Sequence, residues 1–246
     1  KIVHVNYRYP QDVAFELFFV KRGKVKIIEQ LILKYRESKK KAKQFYVWDR
    51  KWIDVDRLDT KNFVMPSKVE SFIENDIWPQ LETKTIYNHA LFYSPPGFGK
   101  TALGRYLAKK YIDWTFISVN PATLEKPGQV FGTFEYASAY KPAIIFFEDI
   151  DTLGRNRGET SEYNPFLGAL LNSIDGLETH TDIYVIATTN NPTAIDIALR
   201  RAGRLGIHVP FRYTRDELIK IFNVYAGTKY TYEEIPFISK LNPAQI

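Results

Sequence analysis

The sequence predicts an α/β fold, a doubly wound and mostly parallel sheet with helices on both faces. Three observations predict it. Short β-branched or aromatic runs alternate with helical segments from about Phe63 onward. One of those runs, AIIFF, is apolar at every position, as a strand covered on both faces requires. The first of these runs leads through a glycine-rich turn directly into a helical pattern.

In chain order, KIVHVNYRY alternates apolar and polar residues and reads as a strand. Pro10 breaks it, and Asp12 is placed to cap a helix. In KVKIIEQLILKYRESKKKAKQ, Val25, Ile28, Leu31, Ile32 and Tyr35 fall at helical spacing, with the lysines on the wet side. FYVWDRKWIDV reads as a hairpin around Asp49–Lys51. HALFY, WTFISV, AIIFF, DIYVIATT and IHVPF read as strands. TALGRYLAKKY reads as a helix, and a second runs from Pro165 toward Gly176 with Asn164 as its cap. TRDELIKIFNVYAG begins another with Thr214 as cap.

The segment Ser94-Pro95-Pro96-Gly97-Phe98-Gly99-Lys100-Thr101 nearly matches the phosphate-loop pattern G-x-x-x-x-G-K-[ST], with Ala102 following in the helix. Glycines let backbone N–H groups turn inward around phosphate oxygens. A helix N-terminus behind them adds partial positive charge. In that pattern Lys100 reaches the β- and γ-phosphates and the Thr101 hydroxyl meets Mg²⁺. Ser94 replaces the first glycine, which is harmless at negative φ and crowded at positive φ.

AIIFFEDID sets Glu148, Asp149 and Asp151 at the carboxyl end of an apolar strand, the edge at which open α/β sheets bind ligands. Carboxylates there can hold a metal's water shell or polarise an attacking water. The order Glu148 then Asp149 inverts the usual one, so Glu148 is assigned to the magnesium side and Asp149 to the water, with the reverse left to geometry. Asn190 ends the next strand, where an amide can orient water or touch a γ-phosphate. A turn-forming asparagine before Asn191-Pro192 is the alternative. Arg200, Arg201 and Arg204 cluster in IDIALRRAGRLG. They read either as charge for a phosphoryl-transfer site, often a neighbouring subunit's, or as a basic helix end.

Composition narrows the classes. The chain has 246 residues, 45% hydrophobic and 25% charged, which excludes disorder, collagen and coiled coil as whole-chain descriptions. It has no cysteine, so disulfides, thiolate metal sites and a cysteine nucleophile are excluded. Its four histidines show no metal-ligand spacing and read as structural. The net charge of +6 is concentrated in Lys34–Lys43, a solvated helix end or a polyanion-binding patch. AFELFFV, the most apolar stretch, is short and interrupted by Glu16, so no membrane span is visible. The chain starts at Lys1, and the expectation is a soluble domain of cytoplasmic type, with an N-terminal membrane anchor outside this chain kept open.

Phosphate loop, acidic strand end, polar strand end and arginine pair, in that order, resemble the AAA (AAA+) ATPases. SPPGFGKT looks like Walker A, AIIFFEDID like Walker B, and Asn190 like the sensor asparagine. Arg201 and Arg204 stand at the two arginine-finger positions. The resemblance covers roughly residues 60–246. It implies a P-loop αβα core over 61–212, a small α/β N-terminal extension over 1–60, and a partial helical lid over 213–246. It further implies ATP and Mg²⁺, with Pro95 to Ala102 around the nucleotide, Thr101, Glu148 and Asp149 around the metal, and Glu148, Asp149, Asn190, Arg201 and Arg204 catalytic. The partners implied are copies of the chain in a ring of about six or seven and a protein client. An ATP-driven nucleic-acid motor, motivated by the lysine run, and an ATP-binding assembly scaffold are the alternatives. The inverted EDID order, the segment from Phe45 to Ile77 and the terminal LNPAQI are similar to the AAA family that translocates the Rieske iron–sulfur protein. Finally, the family grips clients with an aromatic in a pore loop. Here Val130-Phe131-Gly132 offers Phe131, one position out of register, with gripping and core packing both open.

Overall fold

The computed structural model describes residues 44–47, 51–83, 85–151, 164–179 and 182–246. The strand expected over residues 1–9, the basic helix and its lysine run lie outside the described residues.

Seven strands form one sheet: β1 (Gln44–Val47), β2 (Lys51–Asp54), β3 (Ala90–Tyr93), β4 (Thr115–Val119), β5 (Ala143–Phe147), β6 (Ile183–Thr189) and β7 (Ile207–Pro210). Their spatial order is β2-β1-β4-β5-β6-β3-β7. All neighbouring pairs are parallel except β1 with β2. The expected hairpin forms, but it is not confined to a separate extension. Phe45 pairs with Phe116, so the hairpin lengthens the core sheet, which begins before residue 61. The physical reason is that the outer edge of β4 would otherwise carry unpaired backbone groups.

Among the described residues the α-helices are α1 (Ser67–Phe72), α2 (Trp78–Thr83), α3 (Lys100–Lys110), α4 (Gly128–Ala139), α5 (Pro165–Asp175) and α6 (Arg215–Ala226). A π-helical turn, Ile73–Ile77, joins α1 to α2. Strand side chains alternate between two cores, as a period of two demands. On one face Ile145 and Phe147 of β5 meet α4 and α5; on the other, Ile144 and Phe146 meet α1, α2 and α3. Phe146 is fully buried, worth about 1.5–3 kcal/mol. Gly104 of α3 lets the helix lie this close, because a Cβ there would sit 2.7 Å from the Phe146 ring.

Of the expected caps, those at Asn164 and Thr214 form, while Asp12 lies outside the described residues. Asn164 accepts from the backbone N–H groups of Phe166 and Leu167, and Thr214 makes a reciprocal capping box with Glu217. Gly176 follows α5 at φ −67°, so it closes the helix without using the left-handed region. The segment 130–132 is corrected: it lies inside α4, not in a loop. Val130 and Thr133 bury one side of that helix, while Phe131 stays 43% exposed on the other. Core packing of Phe131 is thereby set aside. After β7 the chain builds a small cluster of its own, with Leu218, Ile219 and Ile221 of α6 against Ile235 and Ile238. Among the described residues no helix is long and apolar enough to cross a membrane.

Candidate functional site

Strand β3 ends at Tyr93, and the loop 94–99 carries the chain into α3. Gly97 and Gly99 take φ of +84° and +93°, the left-handed conformations the motif needs glycine for. Ser94 is not among the positive-φ residues, so a side chain fits there without strain. It is buried and its N–H donates to the Thr189 carbonyl at 3.2 Å, continuing the ladder between β3 and β6.

Lys100 opens α3 and is buried. Its Nζ donates to the Ser94 carbonyl at 2.9 Å, Ser94 Oγ at 3.2 Å, the Pro95 carbonyl at 3.1 Å and Asn190 Oδ1 at 2.8 Å. Burial lowers its pKa, and the carboxylates of Asp149 and Asp151 act against that lowering.

The two acids expected at the end of β5 have different partners. Glu148 accepts from Thr101 Oγ1 at 2.9 Å and from Ser118 Oγ at 3.0 Å. Asp149 accepts from Asn190 Nδ2 at 3.0 Å. Its backbone sits at φ +47°, and its N–H donates to Thr188 Oγ1 at 3.0 Å. A non-glycine residue in that region is strained, a condition concentrated at working sites. Asp151 is buried and accepts from Thr189 Oγ1 and the Asn190 N–H, fixing the strand end that carries Asn190. Asn190 thus joins Lys100 and Asp149 through the two ends of one amide.

Thr101, Ala102, Gly97 and Gly99 line a cavity of about 520 Å³. Its other walls include Phe63, Arg105, Tyr213 and Ala244. Ala244 donates its N–H to the Gly97 carbonyl at 3.1 Å, so the end of the chain rests on the phosphate loop. The volume suits a nucleotide-sized ligand. The left-handed glycines, the helix start and the lysine fit phosphate oxygens. The Thr101 hydroxyl and Glu148 carboxylate are hard oxygen donors of the kind Mg²⁺ takes.

Arg201 and Arg204 are not in this group. Both precede β7 and lie at the other end of β3, where the His89 N–H donates to the Arg204 carbonyl at 2.8 Å. Arg204 makes a two-pronged pair with Asp175, Nε at 2.7 Å and Nη2 at 2.6 Å, and its Nη1 donates to the Ala198 carbonyl. Arg201 is exposed.

Sequence reasoning missed Ser118, Asp175 and the aromatic cavity walls. Ser118 carried a weak signal, a small hydroxyl near the end of a mostly apolar strand. Asp175 carried none, because its partner is 29 residues away. His89, read as structural, is buried, and its Nδ1 accepts the Val185 N–H at 3.1 Å.

A family model described as "ATPase family associated with various cellular activities (AAA)" matches residues 90–213, half of the chain. The chain is similar to a cell division cycle protein 48 homolog of Archaeoglobus fulgidus, 38% identical over 143 residues, 53% of this chain and 19% of that protein. It is similar to the ATP-dependent zinc metalloprotease FtsH 4 of Sphaerobacter thermophilus, 32% identical over 170 residues, 63% of this chain and 26% of that protein. It is also similar to a 26S proteasome regulatory subunit 8 homolog of Encephalitozoon cuniculi, 36% identical over 146 residues, 53% of this chain and 37% of that protein. The chain therefore spans well under half the length of these relatives.

Proposed function

The chain belongs to the AAA family of ATPases, and from that premise we propose that it works as a ring of copies that couples hydrolysis of ATP to remodelling or translocating a protein client. The observation that carries this reading is the position of Arg201. It sits at the end of β3 opposite the phosphate loop, and four strand residues separate those ends by about 13 Å. That separation supports a role for Arg201 at a neighbour's nucleotide, not at its own.

In this reading the amides of the loop from Pro95 to Ala102 and the Lys100 ammonium hold the β- and γ-phosphates. Thr101 and Glu148 face the metal side. Mg²⁺, when bound, would neutralise charge on the phosphate oxygens. Asp149, oriented by the Asn190 amide, accepts the proton of the attacking water. The division rests on partners: Glu148 is bonded to the hydroxyl of the phosphate loop, and Asp149 to the amide beside it. Arg201 of the adjoining copy supplies charge at the γ-phosphate. Arg204, the second finger position, is held against Asp175 and positions the same loop.

A protein client is supported by the names of two relatives, a protease and a proteasome subunit, and by Phe131, exposed on α4. The narrower likeness to the Rieske-translocating AAA family is supported by the Glu148–Asp149 order and by the Asn242–Gln245 turn packed on Gly97. Turnover of ATP by the purified chain, measured with Mg²⁺ alongside native mass spectrometry, tests the reading. Closed rings with hydrolysis are expected. A monomer at saturating ATP with no turnover overturns it.

A further inference from the structure

The Ser94 hydroxyl belongs to no part of the phosphate-loop pattern, which carries glycine at that position. Yet it is buried and takes part in the tightest polar cluster of the site. Lys100 Nζ has four acceptors within 3.2 Å, two of them on Ser94, the carbonyl and Oγ. An ammonium has three N–H donors, so all of them are satisfied by the protein, with one shared. Ser94 Oγ in turn donates to the Pro95 carbonyl at 3.2 Å, which orients its lone pairs toward the lysine. In this arrangement every donor of the lysine is taken up by an oxygen of the protein itself.

We propose that Ser94 is a positioning residue that holds the Lys100 ammonium against the protein's own oxygens, so that a polyphosphate must displace a hydroxyl bond the glycine pattern lacks. The inference rests on the nucleotide-binding reading of the loop and adds a residue that sets its affinity. A glycine at the same place leaves Lys100 with three acceptors for three donors. Breaking one of those bonds to reach phosphate then competes with one acceptor fewer. The backbone does not object to either residue, because Ser94 is outside the left-handed region.

The test is calorimetric titration of the full chain with ATP, ADP and AMP, comparing wild type, Ser94→Ala and Ser94→Gly. Alanine removes the hydroxyl and keeps the backbone restricted; glycine is the pattern's own residue. Both variants are expected to bind ATP and ADP about threefold to tenfold more tightly, the scale of one ordinary hydrogen bond, since the hydroxyl only shares a donor with another acceptor. AMP, which has no β-phosphate to draw the lysine away, is expected to bind unchanged. In steady state KM for ATP falls and kcat holds. Unchanged or weaker ATP binding in both variants overturns the inference. So does tightening in glycine alone, which assigns the effect to backbone freedom, or equal tightening for AMP, which assigns it to loop opening. A wild-type chain that binds no ATP overturns the nucleotide-binding reading instead, so the two failures are distinguishable.

Discussion

The hydroxyl of Thr101 donates to Glu148 Oε2 at 2.9 Å, while Asp149, the next residue, is held by the Asn190 amide at 3.0 Å. Adjacent carboxylates are thus drawn to different neighbours. Glu148→Gln is expected to raise the Mg²⁺ concentration needed for half-maximal nucleotide binding by about tenfold. Asp149→Asn is expected to bind Mg–ATP normally and to lose about 10²–10⁴ in kcat. Metal titration followed by nucleotide fluorescence, paired with phosphate release, separates the two. The opposite pattern reverses the roles.

Lys100→Ala removes the charge proposed to meet the β- and γ-phosphates and leaves the Ser94 and Asn190 oxygens without their donor. ATP affinity is expected to fall at least about 100-fold, the scale of losing a charge-assisted contact to phosphate. Calorimetry reads this directly, and retained affinity contradicts the site.

Arg201→Ala is expected to leave ATP binding intact and reduce kcat about 10³-fold or more. Mixing this variant with Asp149→Asn should restore part of the turnover, since some junctions then combine an intact arginine with an intact acid. No recovery at any mixing ratio places Arg201 outside a shared site.

The imidazole of His89 is pushed down to about 4 by burial. Its Nδ1 faces the Val185 N–H and has to stay unprotonated to accept it. In the unfolded chain the same group titrates near 6.5. Between those values the unfolded chain binds a proton that the folded chain refuses, so stability falls as pH drops from about 6.5 toward 4. The full effect is about 3 kcal/mol. His89→Gln, which does not titrate, is expected to flatten that part of the stability–pH curve in chemical denaturation.

Glu217 accepts from the backbone N–H of Ser67 and of Thr214, each at 2.7 Å, and so ties the start of α1 to the start of α6. Burial works to raise its pKa, but the bonds from Ser67 and Thr214 outweigh it and the net shift is downward. Its stabilisation is present above the ordinary glutamate value and is lost as pH falls through the lower, folded-state value. Glu217→Ala is expected to cost about 1–3 kcal/mol at neutral pH by leaving two N–H groups unpaired. Thermal unfolding measures it.

The αβα core was legible because strands and helices alternate, the β5 run AIIFF is apolar on both faces, and the phosphate-loop turn carries glycine where positive φ is needed, at Gly97 and Gly99. The phosphate loop and acidic strand end were legible because their chemistry is local in sequence. What required coordinates was long-range. The hairpin reads as a separate piece until Phe45 is seen beside Phe116. Phe131 reads as part of a loop until Val130 and Thr133 are seen buried on the opposite side of a helix. The pairing of Arg204 with Asp175, and the hold of Ser118 on Glu148, join residues that no spacing rule connects.

Strand β3 is only four residues long, and both its ends are spoken for: Ser94 and the phosphate loop at one, His89 and the arginine turn at the other. It lies between β6 and β7, hydrogen-bonded on both sides. In the proposed ring, that strand would be the shortest covalent path from one copy's phosphate loop to the guanidinium offered next door, so a slip of a single residue in its register would misplace both ends at once.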